Sequence, residues 1–482
     1  ADVTAPAVLG RPVNLYWDGR HALELLRLWA ASMPAWRLGA ALLALVLGTV
    51  LLVALVRSAI VALAHALRWP QPRPWVLATV GALGLSFAAH VPDERDTRWF
   101  FSLPLSPTLV QQARLLWHAA SPDLTEAALG TGPAFDTGLS ALTDDQGPVD
   151  VLLLFAESYG AVTLDRPDHA RALQASRQRL QQAIDASGRA VVSARVRAAT
   201  FGGASWLSHA SLLSGIDASD PARHDLLMAS ERPTLVRHFA RHGYRTVGWM
   251  PGLKRPWPEG AFYGFDRLAD DAGIGYQGPD FGYWRIPDQA AMALLQAQEF
   301  EGAAQRRPRF AVFATTSTHA PFHPIAPFVN DWASLTRVDA YAGVTTPPAS
   351  ASLRQAGPQY LEAMRYQHAW LADHLRRRAP RPLVMIIVGD HQPPALVSGQ
   401  GTSWDVPVHV VSDDAALLQR LLGSGFVAGL TPPATPMGNM PGLTSVLLNA
   451  FDASVADDTQ GIDHVVRPTD PAISKDRSPP GS

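Results

Sequence analysis

Residues 149–160 read VDVLLLFAESYG, an unbroken apolar run between an aspartate and a glutamate, closed by Ser-Tyr-Gly. A short continuous run of this kind is the pattern of a strand buried on both faces, whereas a strand with one wet face alternates polar and apolar residues. Working outward, residues 167–188, PDHARALQASRQRLQQAIDASG, have helical spacing and stop at Gly188. AVVSARVRAAT (190–200) is the next strand, 234–243 a helix with a glycine stop, and YRTVGWM (244–250) another strand. Residues 288–305 are helical, RFAVFATTS (309–317) is a strand, and 360–378 form a long helix. LVMIIVGD (383–390) and VPVHVVS (406–412) follow as strands. Apolar strands alternating with helices predict an α/β fold with a mostly parallel sheet and helices on both faces.

Composition narrows the choices. The 482 residues are too many for one small core. A net charge of −2 leaves no basic excess, so a nucleic-acid partner is not expected. Cysteine is absent, which excludes disulfides, thiolate metal sites and a cysteine nucleophile.

Ahead of the α/β part the chain is apolar. Residues 38–56, LGAALLALVLGTVLLVALV, form an uncharged run of the roughly 20-residue length that crosses a bilayer. Residues 74–91 read as a second span, PWVLATVGALGLSFAAHV. Arg57, Arg68 and Arg73 then lie on a connection between spans, which the positive-inside rule places in the cytoplasm. Everything after residue 91 is expected on the outer side, although Arg11, Arg20, Arg27 and Arg37 before the first span pull the other way. That orientation calls for a further span upstream, consistent with a first residue that is not Met. The expected domains are an extracytoplasmic or interfacial segment (1–37), with an amphipathic stretch at 21–30, and two transmembrane helices (38–91). A connector (92–147), a catalytic domain (148–450) and a poorly ordered tail (451–482) follow. The reading places a multi-pass protein in the cytoplasmic, or inner, membrane, with its catalytic domain on the periplasmic or extracellular side.

In an open parallel sheet, sites gather beyond the carboxyl ends of the strands. Glu157 ends the first strand, Ser205 follows the second, His319 and His323 follow 309–317, and Asp390 and His391 end 383–390. One acidic residue after an apolar run is ordinarily only an exit to solvent. Four strand ends that each deliver an ionisable or nucleophilic group suit a divalent cation: two carboxylates, an imidazole and a serine oxygen as ligands. Ser205 sits in TFGGASWLSHASLLSG (200–215), where glycines lead into a helix start with free N–H groups. A serine there is either an N-cap or a nucleophile that needs a base or a metal to lose its proton.

FAESYG, the glycine-led serine helix ending LLSG, THAPFHP and IIVGDHQPP occur in this order. The set resembles the alkaline phosphatase superfamily, and within it the sulfatase-like branch of lipoteichoic-acid synthases and phosphoethanolamine transferases, over residues 148–412. The resemblance implies Glu157, Ser205, Asp390 and His391 as metal ligands and Ser205 as nucleophile, placed by counting back from Gly215, with Ser208 and Thr200 as rivals. It implies a contact from His319 to the transferred group, unless that histidine merely caps a loop. His323 ranks lower, and His409 lower still as a strand residue. Lys254 and Arg255 fall near a substrate-binding arginine of relatives, or are solvated loop charges. Trp284, Arg285 and Asp288 resemble a segment on the acceptor side. Zn²⁺ or Mn²⁺, with Mg²⁺ an option, is the implied cofactor, and a phospholipid or envelope glycan the implied substrate.

Departures matter as well. Sulfatases modify a Cys or Ser in a C/S-x-P-x-R context, whereas here Trp206 and Leu207 follow Ser205 and His209 holds the arginine position. Sulfate ester cleavage therefore ranks below phosphoryl transfer through a phosphoserine. The alternatives are a phosphodiesterase or sulfatase-type hydrolase and, from another class, a catalytically silent envelope-binding relative.

Overall fold

The structure is a computed structural model that describes residues 35–68, 73–90, 105–144, 147–255, 257–281, 284–301, 306–344, 356–379 and 381–454. The contacts divide the chain into two compact units, Ala1–Ala120 and Ser121–Ser482. Residues 1–34, which hold the expected interfacial stretch with Arg11, Arg20 and Arg27, and tail residues 455–482 lie outside the described set.

In the first unit, α1 (Ala35–Arg68) and α2 (Arg73–His90) are followed by α3 (Leu105–Ala119). The sequence reading ends the first span at Val56, just before Arg57, but α1 runs on through Arg57 to Arg68. The reason is local: residues 58–67, SAIVALAHAL, are mostly good helix formers, and arginine itself is one. Among the described residues, the window that is long and apolar enough to cross a membrane is Val46–Arg68, with none of it buried in the protein. Arg57 is therefore not on a connection, and only Arg68 and Arg73 flank the break between the helices. The apolar part of α2, Pro74–Ser86, is shorter than a bilayer core demands.

The second unit is built on an eight-stranded sheet. In chain order its strands are β1 (Asp150–Ala156), β2 (Ala190–Arg197), β3 (Arg245–Trp249), β4 (Arg267–Ala269), β5 (Arg309–Ala314), β6 (Leu383–Gly389), β7 (Asp405–Ser412) and β8 (Val427–Ala428). Across the sheet they run β8-β2-β7-β6-β1-β5-β3-β4. The pairs β6–β1, β1–β5, β5–β3 and β3–β4 are parallel, whereas β7 lies antiparallel to both β6 and β2. Opposed twice, β2 points the same way as β1, β5 and β6. Their carboxyl ends share one edge, which positions the site. The fold is thus α/β with a mostly parallel sheet, as the apolar runs imply.

Every residue of β1 and β6 is buried, as expected of central strands covered on both sides. One cover is the pair α4 (Pro167–Ala186) and α5 (Ala356–Arg376), whose buried leucines, tyrosine and tryptophan share a core with alternate residues of β1. The stretch read as a connector is not all loose: its part after residue 120 belongs to the α/β unit. Asp452 accepts from the Gly138 N–H at 2.6 Å and the Ser140 hydroxyl at 3.1 Å, tying that segment to the chain end. Arg241 donates to the Phe135 carbonyl at 2.9 Å.

Candidate active site

The serine turn is shaped by backbone conformation. Gly202, Gly203 and Ala204 take φ of 70°, 151° and 60° in succession, a left-handed path that suits glycine and strains alanine. The Gly202 N–H donates to the Gln392 carbonyl at 3.0 Å, and a Cβ at Gly202 would lie 3.3 Å from Pro394 Cα. This close approach docks the turn on the residues after β6 and leaves Ser205 as the first residue of a helix, Ser205–Ser214, beside His391. Ala204 is the N-cap, so Ser205 is not spent on capping. Its hydroxyl donates to Glu157 Oε2 at 3.0 Å and lies 3.1 Å from His391 Nε2. Of the rivals, Ser208 is fully buried a turn further in, and the Thr200 hydroxyl donates to the Gly203 carbonyl.

Glu157, Asp390 and His391 are all buried, and one ligand atom from each lies within 4.8 Å of the others. Each is held from behind. The Glu157 N–H donates to Thr315 Oγ1 at 3.0 Å, its carbonyl accepts from Thr318 Oγ1 at 2.5 Å, and its Oε1 accepts from Ser158 Oγ at 2.8 Å. Asp390 Oδ1 accepts from the N–H groups of Ser158 at 2.8 Å and His391 at 2.7 Å. His391 Nδ1 faces the Gln392 carbonyl at 2.7 Å; that contact requires the proton on Nδ1 and turns Nε2 toward Ser205.

The electrostatics ask for a cation. Burial and the charge of Glu157 push Asp390 up to about 8. Burial alone would raise Glu157 as well, but His391, His319 and hydrogen bonds hold it below the ordinary carboxylate range. Burial opposes a charge on His391, yet Asp390 and Glu157 keep it above the usual histidine value. Two carboxylates and an imidazole crowded in a dry site are the donor set of a divalent ion such as Zn²⁺ or Mn²⁺, and the residues present fit that group.

The second part of the site is a rim. His319, His323 and Trp284 line an open recess of ≈ 390 Å³ with Phe281, Ile286 and Phe322. The Trp284 ring stands edge-on to His319 with centroids 4.6 Å apart, and Lys254 Nζ lies 5.3 Å from the Trp284 centroid. Arg255 is exposed beside Lys254. His319 Nδ1 faces the Ala320 carbonyl at 2.5 Å, so that ring too presents Nε2.

Other residues have structural duties. Arg285 grips Asp271 Oδ1 through Nη2 at 2.6 Å and Nε at 2.8 Å. Asp288 accepts from the N–H groups of Thr316 at 2.7 Å and Ser317 at 3.0 Å, so it anchors the His319 loop. Burial raises its carboxyl to about 6 against those bonds. His409 lies inside β7, 2.6 Å from Ser193 Oγ and 3.0 Å from the Tyr159 hydroxyl, and burial lowers it to about 3; it is a core residue. Sequence reasoning missed Thr315, Thr318 and Ser158, whose only signal is that they stand next to the strand ends.

Several solved structures are similar to this chain in part. The Streptococcus pyogenes phosphoglycerol transferase GacH, in complex with sn-glycerol-1-phosphate, is 10% identical, with 77% of this chain and 89% of that one covered and a TM-score of 0.43. The Listeria monocytogenes lipoteichoic acid synthase LtaP is 12% identical, with 60% and 70% covered and a TM-score of 0.40. For the C-terminal periplasmic domain of the Campylobacter jejuni phosphoethanolamine transferase EptC the figures are 12%, 62%, 88% and 0.39. No curated protein matches. The sulfatase family model matches residues 150–409, from the first strand through the loops that carry Glu157, Ser205, His319, Asp390 and His391 into β7. With more than half of its length inside that match, the protein belongs to the sulfatase family and is a sulfatase-like hydrolase or transferase.

Proposed function

We propose that this protein is a membrane-anchored, metal-dependent phosphotransferase of the phosphoglycerol or phosphoethanolamine type, acting on cell-envelope substrates through a covalent phosphoserine. The observation that carries the reading is the Ser205 hydroxyl, 3.0 Å from Glu157 Oε2 and 3.1 Å from His391 Nε2, at the start of a helix. Glu157, Asp390, His391 and Ser205 would hold the divalent ion, which supplies Lewis-acid stabilisation of phosphoryl charge and lowers the serine pKa. Ser205 donates its proton toward Glu157, and its oxygen attacks phosphorus as the bond to the leaving alkoxide breaks. The helix start offers unpaired N–H groups to the phosphoryl oxygens. His319 supplies a proton to the leaving oxygen, and the phosphoryl group then passes to an envelope glycan, a lipid or water. Lys254 and Arg255 lend positive charge at the rim, with His323 and Trp284 beside them.

Two readings of sequence support phosphoryl over sulfuryl transfer: Ser205 lacks the C/S-x-P-x-R surroundings, and His209 takes the arginine position. The apolar window Val46–Arg68 supports attachment to a membrane; the proposal adds α2 as a shorter second pass and places the α/β unit outside the cytoplasm. Such an anchor raises the local concentration of a lipid donor. The test is to incubate the protein with a nitrophenyl phosphodiester and, separately, with nitrophenyl sulfate, and to measure the mass of the peptide containing Ser205. The reading requires a phosphorylated Ser205 that is absent after Ser205→Ala. Nitrophenol release from the sulfate alone sinks it in favour of the sulfatase, and release from neither ester favours a silent envelope-binding relative.

A further inference from the structure

His209 stands four residues after Ser205 in the Ser205–Ser214 helix, on the face that Ser205 presents to Glu157 and His391. Its ring lies against Phe155 with centroids 4.1 Å apart, a packing that fixes the ring plane. The side chain is 15% exposed, and its Nε2 is buried with no hydrogen-bond partner among the described residues. A buried ring nitrogen left unpaired is costly and needs a reason. The reason lies 4.0 Å away, at Asp390 Oδ2. Asp390 Oδ1 already accepts from two backbone N–H groups, so Oδ2, 3.8 Å from His391 Nε2 and turned toward Glu157, is the oxygen left to face a cation. At 4.0 Å the pair is beyond hydrogen-bond range, and a movement of about 1 Å brings it to the usual N–H···O distance.

We propose that His209 is a positioning residue for the ion site: its Nε2–H donates to Asp390 Oδ2 and holds the carboxylate in its ligating orientation once a cation is bound. The inference rests on the reading that Asp390 holds a divalent ion. A carboxylate ligand with a donor behind it keeps its geometry and charge, and loss of such a partner typically weakens metal binding by about 10–100-fold.

The experiment compares Zn²⁺ and Mn²⁺ dissociation constants of the full chain, measured by competition with a chromophoric chelator, for the unaltered protein, His209→Phe, His209→Gln and Asp390→Asn. His209→Phe keeps a ring against Phe155 but has no donor, and is expected to bind about 10–100-fold more weakly while the chelator-stripped protein melts where the parent does. His209→Gln restores an N–H near Nε2 and is expected to recover most of the affinity. Parental affinity in His209→Phe overturns the proposal, as does a His209→Gln variant as weak as His209→Phe. Asp390→Asn separates the two levels: if it keeps parental affinity, the ion-site reading itself fails, whereas its loss beside an unaffected His209→Phe sinks only the role of His209. Should His209→Phe not fold, ¹⁵N-histidine labelling of the parent decides. The Zn²⁺-loaded protein must show a proton on His209 Nε2 protected from exchange, and an unprotonated Nε2 overturns the proposal.

Discussion

The floor of the site and its rim are built differently. Glu157, Asp390 and His391 are buried, and each is tied by hydrogen bonds to the backbone or to threonine and serine hydroxyls. Lys254, Arg255 and Trp284 sit on loops, half-exposed or exposed, where Trp284 stands edge-on to His319 and takes the Lys254 charge over its ring. A floor fixed to the strand ends can hold reacting groups to within a fraction of an ångström, which chemistry demands. A rim of aromatic and cationic side chains gives affinity with looser geometry. Under the proposed function, the floor would determine whether the reaction occurs and the rim on what.

The largest effect that could break this division is at Ser205. Ser205→Ala should lower kcat for a phosphodiester by at least about 10³-fold with the fold intact, and steady-state turnover with a circular-dichroism control measures it. A tenfold loss or less would mean the floor is not the reacting centre. Next, Asp390→Asn should weaken Zn²⁺ or Mn²⁺ binding by at least about 10²-fold, more than loss of an outer partner costs, as chelator competition reads directly. On the rim, Trp284→Ala should raise KM about tenfold and leave kcat nearly unchanged. Equal losses in both constants would place Trp284 with the chemistry and erase the distinction.

The smallest effect is one of pH. In the chelator-stripped protein the fold keeps Asp390 protonated up to about 8, against an ordinary value of 3.8. The folded state then binds an extra proton in that window, so the contribution of Asp390 is complete below about 4 and is lost as pH rises toward 8, while the buried His209, His238, His368, His374 and His409, lowered by burial to about 3 or 4, act with the opposite sign up to about 6.5. His391, held above its usual value, adds a loss of the same sign at the upper end. Above about pH 6.5, where the five depressed histidines are neutral in both folded and unfolded chains, the melting temperature should fall by a few degrees toward pH 8 without metal and stay flatter with Zn²⁺, as thermal scans in the two conditions will show. A stripped protein that grows more stable toward pH 8 would mean that the floor carboxylates do not repel each other.

Much of this architecture was legible because buried parallel strands are written as continuous apolar runs. The six strands expected from such runs form, with ends within a few residues of those expected. The two strands of the eight-stranded sheet that were missed, Arg267–Ala269 and Val427–Ala428, are too short to show a period, as are Thr143–Asp144 and Gly147–Pro148, which pair apart from it. Direction is not written there at all: VPVHVVS looks like its neighbours, yet β7 runs against them, and His409 lands in the core rather than at the edge. Glu157, Ser205, Asp390 and His391 could be grouped because strand ends share an edge. The duty of Asp288, by contrast, depends on two loops meeting, which local sequence does not encode. Arg57 misled for a different reason: a single charge does not stop a helix whose neighbours on both sides are apolar helix formers.

The loops after β1 and β6 interlock. A Cβ on Gly160 would lie 1.8 Å from Gln392 Oε1, and one on Gly389 would lie 2.0 Å from the Tyr159 carbonyl oxygen. Neither loop can swing without dragging the other, so residues 157–160 and 389–392 move as a single mechanical part. A side chain at either glycine would therefore push Glu157 and the Asp390–His391 pair apart.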